Sequence, residues 1–129
     1  MLCVAACIDF MGSLLPGGWD ALMRSNRQKA LTAGKMLCVA LGTEPPLPDC
    51  TVGSLYPVPL PWMEYDTPPA PDWADPLQDW LWYEHGLEVP VTFIPGEASR
   101  ILRISAQLYN SEEEYEFLAG LLRDSPNIG

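Results

Sequence analysis

The chain has 129 residues and a mass of 14.3 kDa, 48% of them hydrophobic and 19% charged. That fits one domain able to bury roughly two-thirds of its unfolded surface and excludes global disorder. Seventeen acids against seven bases leave a net charge of −10 and a pI near 4.2. This is the wrong sign for a phosphate backbone or an anionic membrane surface, so neither nucleic acid nor membrane is expected as a partner. The charge is segregated: residues 1–42 carry +2 and residues 43–129 carry −12.

The chain opens with a short apolar helix over about Leu2–Met11. Cys3 to Leu15 has no capping residue before it and reads as the middle of a buried helix, as if cut from a larger element. No Lys or Arg precedes Arg24 and Asp9 interrupts the apolar run, which argues against a signal peptide. Val4-Ala5-Ala6-Cys7 has the look of a lipoprotein cleavage box, but only three residues precede it. No stretch of about 20 apolar residues is present to span a bilayer. Cys3, Cys7, Cys38 and Cys50 form no Cys-x-x-Cys pair. They read as small buried residues of a reducing, cytoplasmic protein rather than as metal ligands.

Gly12–Gly18 is a turn. A long helix follows over about 19–41, with Trp19, Met23, Ala30, Ala33, Leu37 and Leu41 on one face and Gly42 as its stop. Ten of the 14 prolines lie between Pro45 and Pro76. Thr51–Leu60 is a strand whose later part Pro57, Pro59 and Pro61 confine to a sheet edge or to no sheet at all, and an irregular loop fills about 61–74. A helix begins with Asp75 as N-cap, Pro76 at its first position and Gln78 placed for a capping box; it ends near His85 with Gly86 as its stop. Leu87–Ile94 and Arg100–Tyr109 are strands joined by a Pro95-Gly96 turn. The second places Leu102, Ile104, Ala106 and Leu108 toward a core, and Ile101, Arg103, Ser105, Gln107 and Tyr109 on a mixed face suited to a cleft. The last helix starts at Asn110 or Ser111, with Glu114 completing a Ser-x-x-Glu box and Tyr115, Leu118, Ala119 and Leu122 as its buried stripe. The order predicts an α+β fold: a small, mostly antiparallel sheet with helices packed on one face.

Chemistry-bearing residues are few. His85 is the lone histidine and sits at a helix end, where a cation is favoured by the dipole. No phosphate loop, Gly-x-Ser-x-Gly elbow or dinucleotide fingerprint occurs. Trp62 and Trp73, in the proline loop, are candidates for a partner-binding surface. Arg103 is one of only three bases after residue 42. Its fork suits a bidentate carboxylate, and both an internal salt bridge and a ligand are open to it.

Three segments resemble class V aminotransferases, in particular the isopenicillin N epimerase-like branch. They are Gly12-Ser-Leu-Leu-Pro-Gly-Gly-Trp19, Arg24-x-x-Arg27, and Leu102-Arg-Ile-Ser-Ala-Gln-Leu-Tyr-Asn110, with Leu87-Glu-Val-Pro-Val91 fitting the same branch. The resemblance implies the C-terminal small domain of a fold-type-I pyridoxal-phosphate enzyme. Residues 1–12 would be a remnant of a large-domain helix, and 13–129 the small α+β domain. It implies that Arg103 grips the α-carboxylate of an amino-acid substrate and orients Cα against the cofactor ring. The Schiff-base lysine and phosphate cradle would lie outside this chain; Lys29 and Lys35 match nothing catalytic. Gln107 and Ser111 stand where relatives often have His and Thr. Catalysis by the chain alone is not expected. Metal binding is not expected either; a large domain or a homodimer partner is. A stand-alone interaction module and a truncated gene product are the rival readings.

Overall fold

The computed structural model describes residues 3–61, 75–94, 99–126 and 128. In chain order the elements are α1 (Val4–Ser13), α2 (Gly18–Leu41), a single 3-10 turn (Asp49–Thr51), β1 (Leu55–Pro59), α3 (Pro76–His85), β2 (Val91–Ile94), β3 (Ser99–Ser105) and α4 (Glu112–Asp124). Together they form the expected α+β fold. The sheet order is β1-β3-β2 and both pairings are antiparallel. The proline loop with Trp62 and Trp73, and the Pro95-Gly96 turn, fall outside the described residues.

One face of the sheet makes the core. Tyr56 and Val58 of β1 stand opposite Ile104 and Leu102 of β3, and all four are buried. Leu37 of α2, Leu77 and Leu81 of α3, and Leu118 and Leu122 of α4 close over them. Each such side chain contributes roughly 1.5–3 kcal/mol relative to exposure. Pro57 and Pro59 lie in an edge strand, where a missing N–H costs no ladder bond.

The helix ends follow local chemistry. Asp75 Oδ1 accepts from the Leu77 N–H at 2.9 Å, and Pro76 takes the first helical position of α3. Gly86 ends that helix in the left-handed region at φ 67°. The Leu87 N–H then closes back on the Leu81 carbonyl at 2.9 Å, a Schellman-type cap. Ser111 caps α4, with the Glu114 carboxylate accepting from the Ser111 N–H at 3.2 Å.

Several expectations need correction. β2 is half as long as the Leu87–Ile94 reading, because the Leu87 N–H serves the α3 cap, Pro90 has no N–H, and the Val91 N–H goes to Gln78 Oε1 at 2.8 Å. That last bond also takes Gln78 away from the expected capping box. β1 begins at Leu55 rather than Thr51, since Asp49–Thr51 coils into a 3-10 turn. β3 ends at Ser105 and residues 106–110 form a turn.

α1 is the largest departure. None of its residues is buried, and Val4, Ile8 and Phe10 are 57%, 51% and 63% exposed. On α2 the buried stripe is Leu22, Asn26, Ala30, Ala33 and Leu37, while Trp19 and Met23 lie exposed. The core covers α2 only from Leu22 onward. Trp19 instead packs on α1, its indole nitrogen 2.9 Å from where a Cβ on Gly12 would stand.

Only Cys38 among the cysteines is buried; Cys3, Cys7 and Cys50 are exposed, and all four are free thiols. Burial pushes the Cys38 thiol and the Tyr56 hydroxyl above their ordinary values.

Candidate functional site

β3 brings Arg103 to the rim of a cleft of about 370 Å³. The cleft lies between the extended Leu87–Pro90 segment, the end of β3, the 106–110 turn and the first half of α4. The alternation of β3 sends Leu102 and Ile104 into the core, so Arg103 and Ser105 point to the other face and are exposed. Backbone pairing fixes Arg103: its N–H donates to the Pro90 carbonyl at 2.9 Å, and across the sheet it stands opposite Pro57. Its guanidinium makes no ion pair or hydrogen bond among the described residues. The two ion pairs there are Lys35–Asp49 on the surface and Arg100–Asp75 in the interior. The internal salt bridge that composition left open to Arg103 is thus not formed among the described residues.

The turn that walls the cleft is held from below. Lys29 of α2 donates its Nζ protons to the carbonyls of Gln107 (2.8 Å), Leu108 (3.4 Å) and Asn110. Asn110 Oδ1 accepts from the Gln107 N–H at 3.0 Å, and its Nδ2 donates to Glu114 at 3.1 Å. Asn26 Nδ2 donates to Gln107 Oε1 at 3.0 Å, tying the same turn to α2. Gln107 and Asn110 therefore act as braces, while Tyr109 is 83% exposed at the cleft mouth.

α4 supplies the opposite wall. The Tyr115 hydroxyl donates to the Ser105 carbonyl at 3.0 Å. Burial, with the nearby Glu114 carboxylate, raises its pKa above the ordinary tyrosine value. Glu113 lies outside the cleft, held below the usual carboxylate range by the Ser111 hydroxyl and by backbone hydrogen bonding. Glu114 and Glu88 line the cleft along with Phe117, Leu118, Leu87 and Val89.

Arg103 and the mixed face of its strand were legible from the alternation of polar and apolar residues. The walls were not. Leu87 and Val89 fall within the expected Leu87–Ile94 strand, and Phe117 lies off the expected buried stripe of the last helix. Lys29 carried one usable signal: it sits three residues from Asn26 and one from Ala30, beside the buried stripe of α2.

The other candidates stand apart from the cleft. His85 lies against Trp80, with ring centroids 4.4 Å apart at an interplanar angle of 72°, an edge-on aromatic contact. Trp80 is half-buried and Trp19 and Trp82 are exposed, so the described tryptophans border the core rather than fill it. Arg27 binds the Val52 carbonyl at 3.0 Å and the Asp49 carbonyl at 2.6 Å, pinning the 3-10 turn. No group of three or more His, Cys, Asp or Glu side chains is placed to share a metal among the described residues. No helix among them is long and apolar enough to cross a membrane.

Pyridoxal phosphate, which the resemblance implies, does not fit the residues of this chain. A Schiff base needs a lysine amine within reach of the site. Lys29 is committed to three carbonyls and Lys35 to Asp49 at 2.6 Å, and neither lines the Arg103 cleft. No protein-family description matches the chain, and no curated protein matches it.

Proposed function

We propose that this chain is a carboxylate-binding domain, the small C-terminal part of a class V aminotransferase or isopenicillin N epimerase-like enzyme of the cytoplasm, with Arg103 holding the α-carboxylate of an amino-acid substrate. One observation carries the reading. In a chain of net charge −10, Arg103 lines an open cleft and has no acidic partner among the described residues. A planar fork in that setting is poised for a bidentate carboxylate. Its contribution is positioning: fixing one end of a substrate so that its reactive atoms are presented in a single orientation. The domain lacks a lysine suited to the cofactor, so the chain alone binds and orients and does not catalyse.

The test is a nuclear magnetic resonance titration of the purified chain with acetate. Saturable shifts are expected around Glu88–Pro90 and Arg103–Ser105. Arg103→Gln should abolish them, and Arg123→Gln, an exposed arginine in the last turn of α4 outside the cleft, should leave them intact. Equal loss in both variants would mean diffuse charge attraction and would sink the reading.

A second reading, a self-associating interaction module, is favoured by α1. A helix apolar on nearly every side belongs in an interior, yet α1 and the neighbouring Trp19 and Met23 lie open. This face belongs to the +2 part of the chain, so two copies meeting through it would keep their acidic parts apart. Light scattering across a concentration series should then show a dimer that Ile8→Asp with Phe10→Ser converts to monomer. A wild type that stays monomeric throughout removes this reading.

A further inference from the structure

We infer that the Arg103 cleft selects a monocarboxylate carrying an apolar, ring-sized body and rejects a dicarboxylate. This rests on the carboxylate reading above and adds the chemical class of ligand. Three features of the lining carry it.

The first is the count of charges. Among the described residues Arg103 is the one cation of the lining, and it shares the cleft with two carboxylates, Glu88 and Glu114. Glu114 is fixed in place by its bonds from the Asn110 amide at 3.1 Å and the Ser111 N–H at 3.2 Å, so it stays on its own wall. Glu88 is exposed and has no ion-pair partner among the described residues. A ligand whose first carboxylate sits on Arg103 would carry a second one toward these acids without a cation to meet it. Like charges brought together in a partly desolvated cleft repel, and specificity often arises from such a repulsive element.

The second is the rest of the wall. Leu87, Val89 and Leu118 present aliphatic surface, with Phe117 and Tyr109 flanking them as exposed aromatic side chains. Polar groups that fix orientation, set among apolar and aromatic walls, are the usual composition of a small-molecule site. The third is size: about 370 Å³ leaves room for a phenyl-sized group beyond the carboxylate. Such a group gains area against Leu87, Val89 and Phe117 that acetate cannot reach.

The experiment is a calorimetric titration of the full chain at constant ionic strength with acetate, 3-phenylpropionate and succinate. The expected order is 3-phenylpropionate at least tenfold tighter than acetate, with succinate no tighter than acetate. Phe117→Ser should reduce the phenylpropionate advantage about threefold or more while leaving acetate unchanged. Glu88→Lys should raise succinate affinity about tenfold and change phenylpropionate by less than threefold. Phe117 and Glu88 are both exposed, so a thermal melt is expected to match wild type and to certify the fold.

Equal affinity for the three ligands, or succinate binding tightest to wild type, overturns the selectivity while leaving carboxylate binding standing. If none of the three binds, or if Arg103→Gln leaves all three affinities unchanged, the carboxylate reading itself fails and the selectivity fails with it.

Discussion

Asp75→Ala is expected to cost about 3–5 kcal/mol of unfolding free energy, the loss seen when one partner of a buried ion pair is removed. Asp75 and Arg100 are each 2% exposed. The Asp75 carboxylate takes the Arg100 Nε at 2.7 Å and Nη2 at 2.6 Å while also capping α3 through the Leu77 N–H. One side chain therefore joins α3 to β3 and starts the helix. Removing it takes the Asp75 counter-charge from a buried guanidinium and leaves a helix N-terminus without its side-chain cap. Single domains of this size hold only about 5–15 kcal/mol in total, so the variant should be close to unfolding at 37 °C. Asp75→Asn separates the two roles. It keeps an oxygen for the cap and gives up the charge, so it should be the milder change by about 1 kcal/mol. Pairing it with Arg100→Met removes both charges and should recover part of the loss. Urea unfolding of the wild type, the singles and the double measures this. A cost below about 1 kcal/mol for Asp75→Ala would show the pair to be solvated and the account wrong.

That pair also shows where the sequence could be read and where it could not. Asp75, Pro76 and Gly86 announce α3 because each acts through backbone within a few residues of itself. Ser111 and Glu114 announce α4 in the same way. The even positions of β3 face the core because alternation is a property of a strand alone. Arg100 is different. Strand phase puts it on the even, core-facing side with Leu102 and Ile104, opposite to Arg103, but what lets a guanidinium stay buried there is an acid 25 residues away, which no local pattern reveals. The same limit explains the edges of the strands. Leu87–Pro90 has strand composition, but the Leu87 N–H goes to a helix cap and Pro90 has no N–H to give a ladder. It also explains α1, whose apolar composition forecasts burial while the described fold buries none of its residues. For the site, the strand phase put Arg103 on the exposed face. The walls of the cleft come from a linker and a helix whose approach is a tertiary fact.

Gly34 supplies the other large effect, with a sign opposite to local propensity. In an exposed helix, glycine to alanine stabilises by about 1 kcal/mol. At position 34 of α2 a Cβ would stand 2.2 Å, 2.3 Å and 2.6 Å from Tyr56 ring carbons Cδ1, Cγ and Cδ2. Tyr56 is 1% exposed and cannot swing aside, since Val58, Leu37 and Ile104 share its core. Either the ring leaves its rotamer or α2 lifts from β1, and overpacking of this kind costs about 1–3 kcal/mol and occasionally more. Gly34→Ala is therefore expected to lose about 2 kcal/mol net, read as a lower urea midpoint at unchanged slope. Tyr56→Ala removes every ring atom in the clash. In that background, stabilised with an osmolyte if needed, Gly34→Ala should become favourable by up to about 1 kcal/mol, because only helix propensity remains. A cost that persists without the ring would place its cause in the α2 backbone and not in the contact with β1.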